Sequence, residues 1–137
     1  MNNKTTNSDV CKDTERSKRT VLVCDDESTT REMIKEYLSA HEINCVEAAN
    51  GEEAIVVLSE NVVDLALVDV RMPKMNGLQF LYRIKSVNSE FPVILMTGFE
   101  LSKKEVALLP HKPDDFITKP FAMSCLLRLI KKHVSLK

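Results

Sequence analysis

From Thr20 onward the chain alternates between two hydrophobic periods, and that alternation constrains its fold more tightly than any other feature. Five short runs read as strands: TVLVC at 20–24, NCVEA at 44–48, DLALV at 64–68, PVILM at 92–96 and DFIT at 115–118. Helical spacing separates them. Ser28 stands as an N-cap before Met33, Ile34, Tyr37 and Leu38. Asn50-Gly51 punctuates the chain ahead of Glu52 and Glu53, which open a helix through Ser59. Met75-Asn76-Gly77 precedes a helix with apolar positions Leu78, Leu81, Ile84 and Val87. A short, weakly amphipathic helix is predicted over Ser102–Leu109, stopped by Pro110. The last helix, Phe121–His133, places Leu126, Leu127, Ile130 and Val134 on one face. Strands joined through helices must run parallel. Helices then cover both faces of the sheet, which is why VLV, LALV and VILM are apolar throughout rather than alternating. The expectation is an α/β fold with a doubly wound five-stranded parallel sheet of order 2-1-3-4-5, an order familiar from flavodoxin-like proteins.

Composition narrows the function. The chain has 137 residues, enough for one domain with a real core, and carries a net charge of −1. That near-neutrality excludes a nucleic-acid clamp that neutralises many phosphates. No apolar run reaches the roughly 18–20 residues needed to span a bilayer, and the N-terminus has no secretory h-region. A cytoplasmic protein without nucleic-acid or membrane partners is the expectation. Residues 1–19 are polar, with five basic and three acidic residues, and read as a flexible N-terminal extension ahead of a domain over 20–137. Cys11, Cys24, Cys45 and Cys125 show no C-x-x-C spacing, and His41, His111 and His133 are scattered, so no zinc or redox motif is present.

In open parallel sheets ligands bind beyond the carboxyl ends of the strands. The residues there are Asp25, Asp26 and Glu27 after the first strand, Asp69 after the third, Thr97-Gly98 after the fourth and Lys119-Pro120 after the fifth. Singly, each reads as loop, cap or surface. Jointly they place carboxylates, a hydroxyl and an ammonium at one sheet edge, and the first and third strands are neighbours in the expected order. Two carboxylates about 5 Å apart at an effective dielectric of about 20 repel by roughly 3 kcal/mol. A divalent cation relieves that repulsion, and an all-oxygen set of few carboxylates suits Mg²⁺ or Mn²⁺. Thr97 offers a donor to a phosphoryl oxygen and Lys119 a compact positive charge.

The runs VLVCDDE at 21–27, LALVDVRMPKMNGLQFL at 65–81, VILMTG at 93–98 and FITKPF at 116–121 carry a resemblance. Asp69 follows Asp26 by 43 residues, Thr97 follows Asp69 by 28 and Lys119 follows Thr97 by 22. In motif and spacing the chain resembles the receiver domain of two-component response regulators. The resemblance implies a phosphoprotein in which Asp69 is the phosphoacceptor, taking a phosphoryl group from a sensor histidine kinase or a histidine phosphotransfer protein. It implies Mg²⁺ held by Asp26, Asp69 and the backbone carbonyl of Arg71, with Asp25 acting directly or through water. Thr97 and Lys119 would bond the phosphoryl oxygens, and the Lys119–Pro120 bond would be cis. Thr97 and Phe116 would form a two-state switch, although Phe116, lacking a hydroxyl, also reads as plain core.

Some residues depart from the family pattern. Arg71 lies two residues past Asp69 and Phe99 two past Thr97, where both would lengthen the phosphoryl lifetime unless they face solvent. Pro110 and Pro113 bracket His111-Lys112, which argues against a standard dimer and for a monomer or weak dimer. Only Val134–Lys137 follow the last helix, so the expected output is phosphorylation-dependent binding to a downstream protein target, or onward phosphotransfer. At most, intrinsic self-phosphorylation and autodephosphorylation would be its enzymatic activity. One alternative is a receiver fragment of a larger regulator with DNA-binding or enzymatic output. Another is a Mg-dependent phosphatase-like hydrolase, for which the short connections leave no cap insertion.

Overall fold

A computed structural model describes residues 18–98 and 103–135. Five strands, β1 (Thr20–Cys24), β2 (Asn44–Ala48), β3 (Leu65–Asp69), β4 (Val93–Thr97) and β5 (Asp115–Thr118), form one parallel sheet of order 2-1-3-4-5. Five helices connect and follow them: α1 (Ser28–Ala40), α2 (Gly51–Glu60), α3 (Gly77–Val87), α4 (Lys103–Ala107) and α5 (Met123–His133). Alternate residues of each strand face opposite ways and build two cores. Val21, Val23, Leu65, Leu67, Ile94 and Met96 meet Ile34 and Leu38 of α1 and Leu126 and Ile130 of α5. Leu22, Cys24, Ala66, Val68 and Leu95 meet Ala54 of α2 and Phe80 and Leu81 of α3. Burial on both faces accounts for the wholly apolar strands.

Strand and helix ends depart from the sequence expectation in ways that have causes. β3 and β4 each begin and end one residue later, so Asp69 and Thr97 are the last strand residues. Ser28 is the first residue of α1 and not its N-cap; Glu27 holds the cap position without a side-chain bond. Asp25 Oδ1 accepts the Glu27 N–H at 2.9 Å, so an Asx-type turn brings the chain into the helix one residue early. On α3, Val87 is exposed and Lys85 is buried in its place. α4 is shorter than the predicted Ser102–Leu109, and Ser102 lies outside the described residues. α5 starts at Met123 rather than Phe121.

One helix, α3, meets the sheet through a glycine. Asn76 and Gln79 form a reciprocal capping box on α3, each side chain bonding the other's backbone N–H at 2.9 Å. Behind that cap the Gly77 N–H donates to Val70 O at 3.0 Å. A Cβ at Gly77 would overlap the Asp69 carbonyl oxygen and stand 2.9 Å from Val70 Cα. Only glycine lets the first turn of α3 lie this close to the end of β3. No helix among the described residues is long and apolar enough to cross a membrane.

Candidate functional site

Register brings the carboxylates together. Cys24 of β1 is paired with Val68 of β3, so the next residues, Asp25 and Asp69, stand side by side about one inter-strand spacing, ~4.8 Å, apart. Asp69 is paired with Met96, which precedes Thr97, and Thr97 is paired with Thr118, which precedes Lys119. The sheet order therefore lines up Asp25, Asp69, Thr97 and Lys119 along one edge. Asp26, one residue beyond Asp25, closes the group. Carboxylate oxygens of Asp25, Asp26 and Asp69 all lie within 4.8 Å of one another.

Asp25 is fully buried, Asp69 nearly so, and Asp26 is exposed. The Lys119 ammonium bridges the two buried acids, at 2.9 Å from Asp25 Oδ2 and 3.1 Å from Asp69 Oδ2. Asp69 Oδ1 accepts the Arg71 backbone N–H at 3.3 Å. Burial, and then the Asp25 charge, push the Asp69 carboxyl above the usual aspartate value, and Lys119 and the Arg71 N–H offset only part of this. Burial alone would lower the Lys119 ammonium, but its contacts with Asp25 and Asp69 outweigh it and the net direction is upward. Three carboxylates against one ammonium leave the site with excess negative charge. That donor set, hard oxygens only and open on the Asp26 side, fits a divalent cation of the Mg²⁺ or Mn²⁺ type.

The remaining sequence-derived candidates fall around this core. Thr97 is fully buried at the end of β4, and its carbonyl accepts the Lys119 N–H at 2.7 Å. The Lys119–Pro120 peptide is cis. Arg71 is exposed and lines an open cleft of about 440 Å³ with Asp26, Val70, Met72 and Asn76. Phe116 is half-buried on β5 and packs against the core beneath α2 and α3. Phe99 lies outside the described residues, as do residues 1–17 of the N-terminal extension. A second groove of about 420 Å³ borders the site, lined by Glu27, Thr30, Met33 and Ile34 on one side and Lys119–Phe121 and Met123 on the other.

Of the cysteines, Cys24 and Cys45 are inert by environment. Burial, with help from nearby carboxylates, pushes both thiols up to about 12. Cys24 Sγ donates to Asn50 O at 3.3 Å.

An acidic pocket with a lysine bridge at the head of a 2-1-3-4-5 parallel sheet defines a class of signalling domain. Residues 21–131 match the response regulator receiver domain, and the chain belongs to that family. It is 41% identical over 114 residues to a cyclic di-GMP phosphodiesterase of Thermotoga maritima, covering 83% of this chain and 30% of that protein. It is 34% identical over 111 residues to the autoinducer 1 sensor kinase/phosphatase LuxN of Vibrio campbellii, covering 81% of this chain and 13% of that one. The chain thus spans less than a third of either relative. Among solved structures it resembles response regulator TrrA of Thermotoga maritima in complex with Mg²⁺ and BeF. The TM-score is 0.75 at 30% identity, covering 85% of this chain and 99% of the other. A receiver domain of a signal transduction histidine kinase from Syntrophus aciditrophicus gives 0.77 at 32% identity, covering 85% and 90%.

Proposed function

We propose that this domain accepts a phosphoryl group on Asp69 from a phosphohistidine of a sensor histidine kinase or phosphotransfer protein. The single observation that carries this reading is the Asp25–Asp26–Asp69 cluster bridged by Lys119 in a receiver fold. An Asp69 carboxylate oxygen bonds to phosphorus as the P–N bond breaks, and the electron pair stays on the imidazole nitrogen. The product is an acyl phosphate. The barrier is lowered by positioning and charge neutralisation, because the protein has little covalent chemistry to perform in such a transfer.

Each residue has a part in that step. Lys119 keeps the Asp25 and Asp69 charges apart and has a third N–H for a phosphoryl oxygen, since an ammonium carries three donors and two are used among the described residues. Thr97, at the end of β4, supplies a hydroxyl donor to a second oxygen. Asp25, Asp26, Asp69 and the Arg71 carbonyl would hold Mg²⁺, with Mn²⁺ as a substitute. When bound, that ion neutralises carboxylate charge and draws electron density from the phosphoryl oxygens. The Mg²⁺–BeF complex of TrrA supports both the ion and the acyl-phosphate reading. The groove between α1 and the Lys119–Met123 segment has an apolar floor of Ile34, Phe121 and Met123 beside the site. It suits an incoming helix that carries the donor histidine.

Output follows as phosphorylation-dependent protein contact or onward phosphotransfer in the cytoplasm, through the Thr97–Phe116 pair. Domains of this family in LuxN and in the Thermotoga phosphodiesterase are parts of longer signalling proteins, which supports a place in such a relay. Arg71 is exposed at the cleft beside Asp26, so it would slow hydrolysis of the acyl phosphate, together with Phe99, only by turning from solvent onto the phosphoryl group. The test is transfer of labelled phosphate from purified histidine kinases. Wild-type protein is expected to take label in Mg²⁺ and none in EDTA, and Asp69→Asn none at all. Label retained by Asp69→Asn overturns the assignment.

A further inference from the structure

Asp25 is held from a direction that the acidic cluster does not reveal. Arg31, one turn into α1, sends its guanidinium back to the end of β1. Its Nη1 donates to the Asp25 carbonyl oxygen at 2.6 Å, and its Nε donates to Glu47 Oε1 at 3.0 Å. Glu47 belongs to the edge strand β2, and its other oxygen accepts from Lys35 Nζ at 3.3 Å. The Arg31 side chain is 17% exposed. Arg31 and Lys35 together draw the Glu47 carboxyl below its usual value against the opposing effect of burial, so Glu47 stays charged and keeps its grip.

The Asp25 backbone is thereby fixed at both ends. Its N–H donates to Ala48 O of β2 at 3.1 Å, and its C=O is held by Arg31. A carbonyl and the following nitrogen share one rigid plane. The carbonyl direction therefore sets the plane from which Asp26 departs. Asp26 is the exposed member of the cluster, so the backbone that carries it has the main hand in placing its carboxylate.

We propose that Arg31, braced by Glu47, is a positioning residue for the divalent-cation site: it locks the Asp25–Asp26 peptide so that both carboxylates face Asp69. The inference rests on the reading of that cluster as a cation site. Sign makes it testable. Arg31 is itself a cation close to the cluster, and removing a positive charge by itself tightens binding of a second cation. Removing a positioning contact loosens it.

The experiment is isothermal titration calorimetry of the full chain with Mn²⁺ alone and with Mg²⁺ alone. Arg31→Met is expected to weaken binding about tenfold, in line with other groups that orient metal ligands. Arg31→Lys is expected to weaken it nearly as much, because a point charge cannot serve Asp25 O and Glu47 together as a planar fork does. Glu47→Gln, which loosens the brace and leaves Arg31 in place, is expected to cost about threefold by the same reasoning. Circular dichroism checks the fold, and Arg31→Lys and Glu47→Gln carry the test where Arg31→Met does not fold. Dissociation constants within twofold of wild type, or tighter, overturn the proposal. Wild-type protein that binds Mn²⁺ but takes no label on Asp69 overturns the phosphoacceptor reading instead, and leaves the clamp standing.

Discussion

Two lysines stand at opposite ends of the same sheet in different company. At the amino ends of the strands, Lys85 of α3 is 5% exposed and donates to Asp114 Oδ2 at 2.6 Å, Phe91 O at 2.7 Å and Ser89 O at 3.1 Å. All three donors of its ammonium are used, one carboxylate balances one cation, and Asp114 Oδ2 also accepts the Val93 N–H at 2.8 Å. At the carboxyl ends, Lys119 faces two buried acids with a third beside them, and one cation does not balance three anions. The balanced cluster ties the α3–β4 loop to the start of β5. The unbalanced one leaves Asp69 holding its proton more tightly than an ordinary aspartate. Both clusters are built from the same residue types, so the ratio of charges, and not the presence of a salt bridge, separates a fastening from a site.

The comparison breaks most visibly at Lys85. Lys85→Met is expected to cost about 2 kcal/mol of folding stability, because Asp114 and the Ser89 and Phe91 carbonyls lose a charged donor while the partly exposed Asp114 regains water. Urea denaturation measures it, and a loss under about 1 kcal/mol, no more than an exposed pair gives, makes the two ends alike. Next in size is the response to a divalent cation. Mg²⁺ at tenfold excess over its dissociation constant is expected to add about 1.4 kcal/mol by mass action. A thermal-shift series reads this, and Asp26→Asn is expected to abolish it while Asp114→Asn, at the balanced end, still responds.

The smallest effect has the more telling sign. Asp69→Asn is expected to stabilise the metal-free protein by about 1 kcal/mol at neutral pH, as relief of a strained site commonly does. The Asp69 value is raised in the folded state, so the native protein binds the proton more tightly than the unfolded chain. The resulting penalty grows as pH rises from the ordinary aspartate value through the raised one, and is constant above it. The gap between the variant and wild type therefore closes on acidification, which denaturation at a series of pH values follows. A gap that widens toward acid contradicts the charge-excess account.

The fold was legible because its signal is collective. VLV, LALV and VILM announce a sheet buried on both faces, and strict alternation with helical spacing leaves few topologies. Asp25, Asp26, Asp69, Thr97 and Lys119 were legible for the same reason, since strand ends are easy to find in sequence and the sheet order gathers them. Arg31 and Glu47 were not. Their partners are a backbone carbonyl and a side chain on a different element, and neither leaves a mark in hydrophobic period. Lys85 was obscured by Val87, which looks apolar at the right spacing but points to solvent. A hint did exist, because Lys85 lies four residues after Leu81, on the buried stripe of α3. Ser28 misled because the Asp25 side chain already performs the turn that a serine cap would make.

Gly77 has a consequence for how motion travels. Its missing Cβ lets the first turn of α3 rest on the Asp69 carbonyl, and Lys85 near the other end of that helix is bolted to the loop before β4 and to Asp114. The helix between them is a strut of about 12 Å, at roughly 1.5 Å per residue. The strut joins the end of β3 to the loop before β4. A signal written at Asp69 therefore has a built path along α3 to the loop before β4 and to Asp114 just ahead of β5.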